Sequence, residues 1–120
     1  MRSKWITHAE CQIFYQDFSG YSFLDMEPIK QELIAVQEVV IQAPENSVLV
    51  LADFRQTRIG KDLMDLLTAS SNVTKSHVKK TAVLGVTGTK RILADMLIRF
   101  TGQPLSFFDQ EDAARDWLIK

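Results

Sequence analysis

Cys11 is the single cysteine in a chain of 120 residues, so there is no internal disulfide and no thiolate cluster for a metal. It lies in CQIFYQDF, which reads as a strand, and a buried structural thiol is expected there. Histidine is nearly as scarce. His8 and His77 each stand among polar residues with no nucleophile beside them. Neither sign of charge dominates: 14 basic and 15 acidic residues leave a net charge of -1. Such a balance gives no bulk attraction to nucleic acid or to an anionic membrane. No apolar run approaches the roughly 20 residues of a membrane span, and the basic start MRSKWITHAEC leads into nothing long enough for a signal peptide. A cytoplasmic location without stable membrane insertion is the expectation. With 5 glycines and 3 prolines, the chain has no linker and no low-complexity segment. Residues 1–120 are therefore expected to form a single domain, large enough for one hydrophobic core and too small for two.

What is present is a regular alternation of strand and helix patterns. Trp5 to Ala9 and Gln12 to Phe18 read as strands that can pair as a hairpin, although no strong turn dipeptide joins them. Pro28 suits the start of a helix that runs to about Gln42, with Ile29, Leu33, Val36 and Val40 at helical spacing. Ser47 to Ala52, SVLVLA, is apolar almost throughout, as a central strand covered on both faces must be. A helix follows from Gly60 or Lys61 to Ser71, with Leu63, Leu66 and Leu67 inward, and it ends or becomes irregular through Asn72 to Ser76. Thr81 to Val86 is the next strand. Ile92, Leu93, Met96, Leu97 and Phe100 mark a helix over Thr89 to Phe100, closed by Gly102 and Pro104. Leu105 to Phe108 is a short strand. Asp109 and Asp112 are placed to cap a last helix whose inner face is Ala113, Ala114, Trp117 and Leu118. The order β-β-α-β-α-β-α-β-α predicts an α/β sheet of about five strands with helices packed against it.

Two corners follow strands and are rich in polar groups. Gly85-Val86-Thr87-Gly88 turns directly into a helix, where backbone N–H groups and the side chains of Thr87, Thr89, Lys90 and Arg91 can face an anion. It fits neither standard phosphate motif. A Walker loop needs four residues before Gly-Lys-Ser/Thr, and a dinucleotide fingerprint needs a third glycine. A glycine at such a turn also serves backbone geometry alone. The second corner is ADFRQTRIGKD. If the two strands are parallel neighbours, Arg55, Arg58 and Lys61 join Lys90 and Arg91 in one basic rim beside Thr57 and Gly88. Asp53 can hold loop amides or pair with Arg55. Without interleaved aromatics, this rim is a weak nucleic-acid signal, and no nucleic-acid partner is expected.

Catalytic chemistry finds little to work with. Asp62 and Asp65 share a helix face, but no HExxH or comparable ligand spacing accompanies them. Ser19, Ser70 and Ser71 lack a nucleophile-elbow sequence. Neither an enzyme, a metal nor a cofactor is expected.

The runs VLVLADFRQT and HVKKTAVLGVTGTKRILADMLIRFTGQPLSFFDQEDAARDWL resemble the bacterial SpoIIAA-like proteins. These are grouped with the STAS domains of anti-sigma-factor antagonists and compared with the lipid-binding SEC14-like fold. The likeness is most distinctive from Val78 to Leu118 and extends through Ser47 to Lys61. It implies a mixed four- or five-stranded sheet with about four helices mainly on one face. Anti-sigma antagonists engage a partner kinase at the corner after a central strand, through a phosphorylatable serine. That corner here carries no Asp-Ser-Ser-Gly, and Thr57 is its only hydroxyl residue. The SEC14-like comparison implies an apolar pocket, for which Leu24, Met26, Met64, Met96 and Phe100 are candidate linings.

Two functions are consistent with these readings. One is a non-catalytic regulatory or protein-interaction module working through Asp53, Arg55, Thr57, Arg58 and Lys61 and the neighbouring Thr87 to Arg91 turn. The other is a binder of a small ligand, apolar or anionic. Trp5, Phe14, Phe18, Tyr21 and Phe23 concentrate near the N-terminus and are candidates for self-association as a homodimer, or for covering a sheet face left bare by helices.

Overall fold

The structure, a computed structural model, describes residues 1–21, 26–86, 90–100 and 104–120, without the side chains of 90 and 91. The expectations resting on Phe23, Leu24, Thr87, Gly88, Thr89 and Gly102 lie outside the described residues, as do those resting on the Lys90 and Arg91 side chains.

Five strands are described: β1 (Lys4–His8), β2 (Cys11–Asp17), β3 (Val48–Asp53), β4 (Val78–Leu84) and β5 (Leu105–Phe108). They form one mixed sheet in the order β1-β2-β3-β4-β5, with β1 antiparallel to β2 and every other neighbouring pair parallel. Helices α1 (Met26–Val40), α2 (Lys61–Thr74) and α3 (Lys90–Arg99) each link one parallel strand to the next, and α4 (Glu111–Leu118) follows the last. Each crossover moves the chain the same way along the sheet. A constant right-handed sense then puts α1, α2 and α3 on one face.

The alternation of β3 shows the two layers this creates. Val50 and Ala52 join Leu33 and Val36 of α1, Leu63 and Leu67 of α2 and Met96 of α3 in one core. Leu51, between them, faces the other way and packs with Ile13, Ala82 and Leu84 against Ala114 and Leu118 of α4. β3 is apolar on both faces because both are covered. The pairing shifts between Val48↔Val78 and Leu49↔Lys80, so Lys79 is extra, and Val78 stays on the same side as Val83.

The order and count of elements are those expected. Several details differ. The hairpin between β1 and β2 turns on Ala9 (φ 47°) and Glu10 (φ 69°), both left-handed without being glycine. The register His8↔Cys11 imposes that two-residue loop, which explains why no turn dipeptide announces it. α2 continues through Asn72 and Val73, where Thr74 Oγ1 returns a hydrogen bond to the Ser70 carbonyl at 3.2 Å. β4 begins at Val78 rather than Thr81. Gln110, not Asp109, precedes α4, and it makes no side-chain cap; the β5 ladder runs on to Phe108, whose carbonyl accepts from Gly85 N at 3.0 Å. Ala113 is exposed, and Leu97 is turned to solvent at 48% exposure.

The N-terminal aromatics are mostly core. Phe14 and Phe18 are fully buried on the side covered by α1, while Trp5 stays 45% exposed and tilts over Phe14 at 4.9 Å. The face expected to lie open is covered along β3, β4 and β5 by α4. Cys11 is free and half-buried, not the buried thiol expected, because it opens β2 beside the hairpin turn. Glu32 of α1 secures the chain start. Its buried carboxylate accepts hydrogen bonds from Ser3 N (2.7 Å), Ser3 Oγ (2.6 Å) and Arg2 N (3.0 Å). Burial alone would raise the Glu32 carboxyl, but these donors hold it below the usual carboxylate range.

Candidate functional site

β3 ends at the one charge buried in the corner among the described residues. Asp53 is 1% exposed and follows Leu51 onto the face that α4 covers. An isolated carboxylate there would carry a large desolvation cost, and four donor groups offset it. Tyr15 of β2 donates its hydroxyl to Oδ2 at 2.5 Å. Arg55 N donates to Oδ1 at 2.9 Å, Arg55 Nε lies 3.1 and 3.2 Å from the two oxygens, and Arg55 Nη2 donates to Oδ2 at 2.8 Å. Burial pushes the Asp53 carboxyl up, but the bonds from Arg55 and Tyr15 and the guanidinium charge prevail and hold it low. The Tyr15 phenol moves up, through burial first and then its bond to Asp53. Arg55 is more firmly charged than usual, chiefly through its hydrogen bonds to Asp53.

Arg55 also reaches α4. Its Nη2 donates to Glu111 Oε1 at 3.1 Å, and Glu111 Oε2 accepts from Arg115 one turn on. The path of the Arg55 side chain explains the glycine that follows β4. Gly85 has φ +78°, and a Cβ built there would fall 2.4 Å from Arg55 Cγ and 2.9 Å from Arg55 Cα. Only a residue without a side chain lets Arg55 pass.

Beyond Arg55 the loop is laced to the end of β2. Gly20 N donates to the Arg55 carbonyl at 2.9 Å, and Thr57 N closes a turn on the Phe54 carbonyl at 3.1 Å. Thr57 Oγ1 donates to the Phe18 carbonyl at 2.5 Å and accepts from Tyr21 N at 3.1 Å. Phe18 and Phe54 stack beneath, with centroids 5.3 Å apart. Gln56 sits in the left-handed region at φ 60°, a strained position for a side chain at an exposed loop tip.

β3 and β4 are parallel neighbours with Asp53 opposite Leu84, so the two polar corners do lie at the same end of the sheet. Arg55, Arg58 and Lys61 gather there, exposed. Arg55 is tied to Asp53 and Glu111, which removes it from a free basic rim. Asp53 does both things foreseen for it, holding a loop amide and pairing with Arg55. Tyr15 and Glu111 were not foreseen; they join Asp53 and Arg55 from 38 and 56 positions away in the chain.

The remaining candidates disperse. His8 Nε2 lies 2.8 Å from Asp116 of α4, and His77 Nδ1 lies 2.8 Å from the Ala43 carbonyl. Asp65 pairs with Arg99 at 2.7 Å. Among the described residues, no group of three or more His, Cys, Asp or Glu side chains could hold a metal ion, and no helix is long and apolar enough to cross a membrane. Of the apolar candidates, Met26 and Met64 pack into the core, whereas Met96 and Phe100 line a cavity under the helices.

Sheet order, three crossover helices on one face and an ordered loop after the central strand define a small α/β protein of the STAS kind. The chain belongs to the SpoIIAA-like family, whose profile matches residues 16–119. No curated protein and no solved structure gives a significant match.

Proposed function

We propose that this chain is a regulatory interaction module that works in the cytoplasm, as one domain, through the corner formed by Asp53, Arg55, Thr57, Arg58 and Lys61, with Thr87, Gly88, Thr89, Lys90 and Arg91 as further candidates. The observation that carries this is the loop's preorganisation. An exposed, polar segment is held in one shape by a buried carboxylate, a threonine bonded on both sides and a backbone link to Gly20. Ordering a loop before binding removes much of the entropy cost that a flexible surface would meet on association. Family membership supports the same reading. Thr57 serves as a structural clasp in it, since both functions of its hydroxyl are already engaged.

The presented groups are Gln56, Arg58 and Lys61, and a partner surface with exposed carboxylates complements them. The test is quantitative affinity capture from a cell extract, comparing the wild type with a Lys61→Glu variant and a Lys30→Glu control on α1. A protein retained by wild type and control but reduced fivefold or more on the Lys61→Glu variant, at unchanged melting temperature, is the expected result. Equal retention by all three chains refutes the assignment of this corner.

A further inference from the structure

β1 is an outer strand of the sheet, paired with β2 on one side only. The two-residue loop at Ala9 and Glu10 makes His8 and Cys11 a hydrogen-bonded pair. By alternation Lys4, Ile6 and His8 bond to β2, while the N–H and C=O groups of Trp5 and Thr7 point outward. None of these outward groups has another partner among the described residues. Outer strands are ordinarily blunted by a charge, a proline or a bulge. The middle of β1, Trp5-Ile6-Thr7, carries no charge and no proline, and its register with β2 is unbroken. Trp5, 45% exposed, and Met1, 68% exposed, also border a shallow groove beside this edge, lined by Ala35, Val39 and Ala43 of α1.

A second β1 laid antiparallel against this edge must match outward groups with outward groups. With Trp5 opposite Trp5, the next pair is Thr7 with Ser3, whose N–H is already held by Glu32 Oε2 at 2.7 Å. With Thr7 opposite Thr7, the next pair is Trp5 with Ala9, which has left the strand at φ 47°. The register centred on Ile6 sets Trp5 opposite Thr7 of the second copy and pairs every outward group. It also brings opposite charges together. Ile6 packs with the α4 layer, so Lys4 and His8, two positions to either side, share that face, and His8 Nε2 lies 2.8 Å from Asp116 of α4. Lys4 of one copy then stands opposite His8 of the other, beside Asp116. Lys4 is exposed and has no ion pair among the described residues, and the Asp116 side chain is 61% exposed. Within one chain Lys4 and the His8–Asp116 pair lie at opposite ends of β1, about 13 Å apart along the strand.

We propose that β1 is a self-association edge, on which a second copy of this chain pairs antiparallel about Ile6 and each Lys4 meets Asp116 of the other copy. The two five-stranded sheets then run on as one. The pairing is two-fold and closed, since each β1 edge is used up by the other. The second strand also covers the outer side of the groove at Met1 and Trp5, which adds apolar burial to the ladder. The other outer strand, β5, is LSFF and has no charge with which to set a register. A ladder of five residues is a small interface, so the dimer is weak, with Kd on the order of 10 µM. None of Asp53, Arg55, Arg58 and Lys61 takes part, and this edge stands or falls independently of the corner.

The test is analytical ultracentrifugation of the full chain from about 1 µM to 1 mM at pH 7.5 and low salt, with amide hydrogen exchange by NMR at both ends of the range. A monomer–dimer equilibrium is expected, with the Trp5 and Thr7 amides gaining fivefold or more protection as the dimer fills and the Ile6 amide protected throughout by β2. Thr7→Pro removes an outward N–H that β2 does not use, and it weakens the dimer at least tenfold while leaving the monomer folded. Lys4→Glu sets like charges against each other at two exposed contacts per dimer and weakens it about three- to tenfold. Lys4→Glu/Asp116→Lys restores the opposite signs and returns Kd to within about twofold of the wild type. The restoration is specific to a contact between copies, because the two residues cannot meet within one chain. A monomer throughout the range, protection gained at β5 instead of β1, or a double variant no tighter than Lys4→Glu overturns the proposal. If Thr7→Pro does not fold, the charge exchange still decides.

Discussion

Replacing Gly85 by alanine places a methyl group 2.4 Å from Arg55 Cγ, 2.9 Å from Arg55 Cα and 3.0 Å from Arg55 N. Two separate costs follow. Holding an L-residue at φ +78° costs about 1–2 kcal/mol. The contacts add an overpacking cost of about 1–3 kcal/mol, because two of the three atoms are backbone and cannot rotate away. The sum, about 2–5 kcal/mol, is a large share of the ~5–15 kcal/mol that stabilises an ordinary domain. Urea unfolding followed by circular dichroism at pH 7 reads it as a lower midpoint at unchanged slope, with a fall in melting temperature of roughly 8–20 °C. The Arg55→Ala background sharpens the reasoning. It removes the Cγ contact but leaves Cα and N in place, so Gly85→Ala should still cost more than the conformational ~1–2 kcal/mol there. A Gly85→Ala variant within ~0.5 kcal/mol of wild type would refute both the close approach and the cost of the positive φ.

The hairpin offers a change in the opposite direction. Ala9→Asn with Glu10→Gly supplies the residues that a two-residue loop with both φ angles positive prefers, and a gain of about 1–2 kcal/mol in urea unfolding is expected; no gain means that the turn relaxes at no cost. Asp53 contributes to acid stability alongside Glu32. Its folded carboxyl titrates below the unfolded value of about 3.9, so its contribution is complete above that pH and is lost as pH falls through the lower folded value. Asp53→Asn should lower stability at pH 7 by about 2–4 kcal/mol and flatten the acid limb of the pH–stability curve; an unchanged acid limb would exclude Asp53 as its source.

How far the chain could be read in advance depended on the range of the interactions involved. SVLVLA announced a central strand because burial on both faces leaves a mark within six residues, and β5 stood out between Pro104 and Asp109 for a similar reason. The turn at Ala9 and Glu10 left no such mark. Its shape is imposed by the pairing of Lys4 with Tyr15 through to His8 with Cys11, a property of two strands and not of the dipeptide. The extension of α2 past Ser71 belongs to the same class, since Asn72 to Thr74 have weak helical preference and continue a helix already formed. At the candidate site, the Asp53–Arg55 pairing spans two positions and was legible. Tyr15 and Glu111 complete it through the fold alone, and nothing near either residue indicated it.

The Gly-Val-Thr-Gly stretch gains its meaning from the other corner. Gly85 leaves space for Arg55, Asp53 grips that arginine from β3, and Glu111 grips it from α4. Three elements thus converge on one side chain, and its geometry fixes the loop carrying Arg58 and Lys61. The arrangement divides the residues of the corner into two kinds by consequence. Changes at Gly85, Asp53 or Arg55 disturb the loop's support and must lower stability along with any binding the loop performs. A change at the exposed end of Lys61 acts on a loop already held by others, so binding can be lost there while the fold remains intact. That separation makes the interaction surface testable in a chain whose fold depends on the same corner.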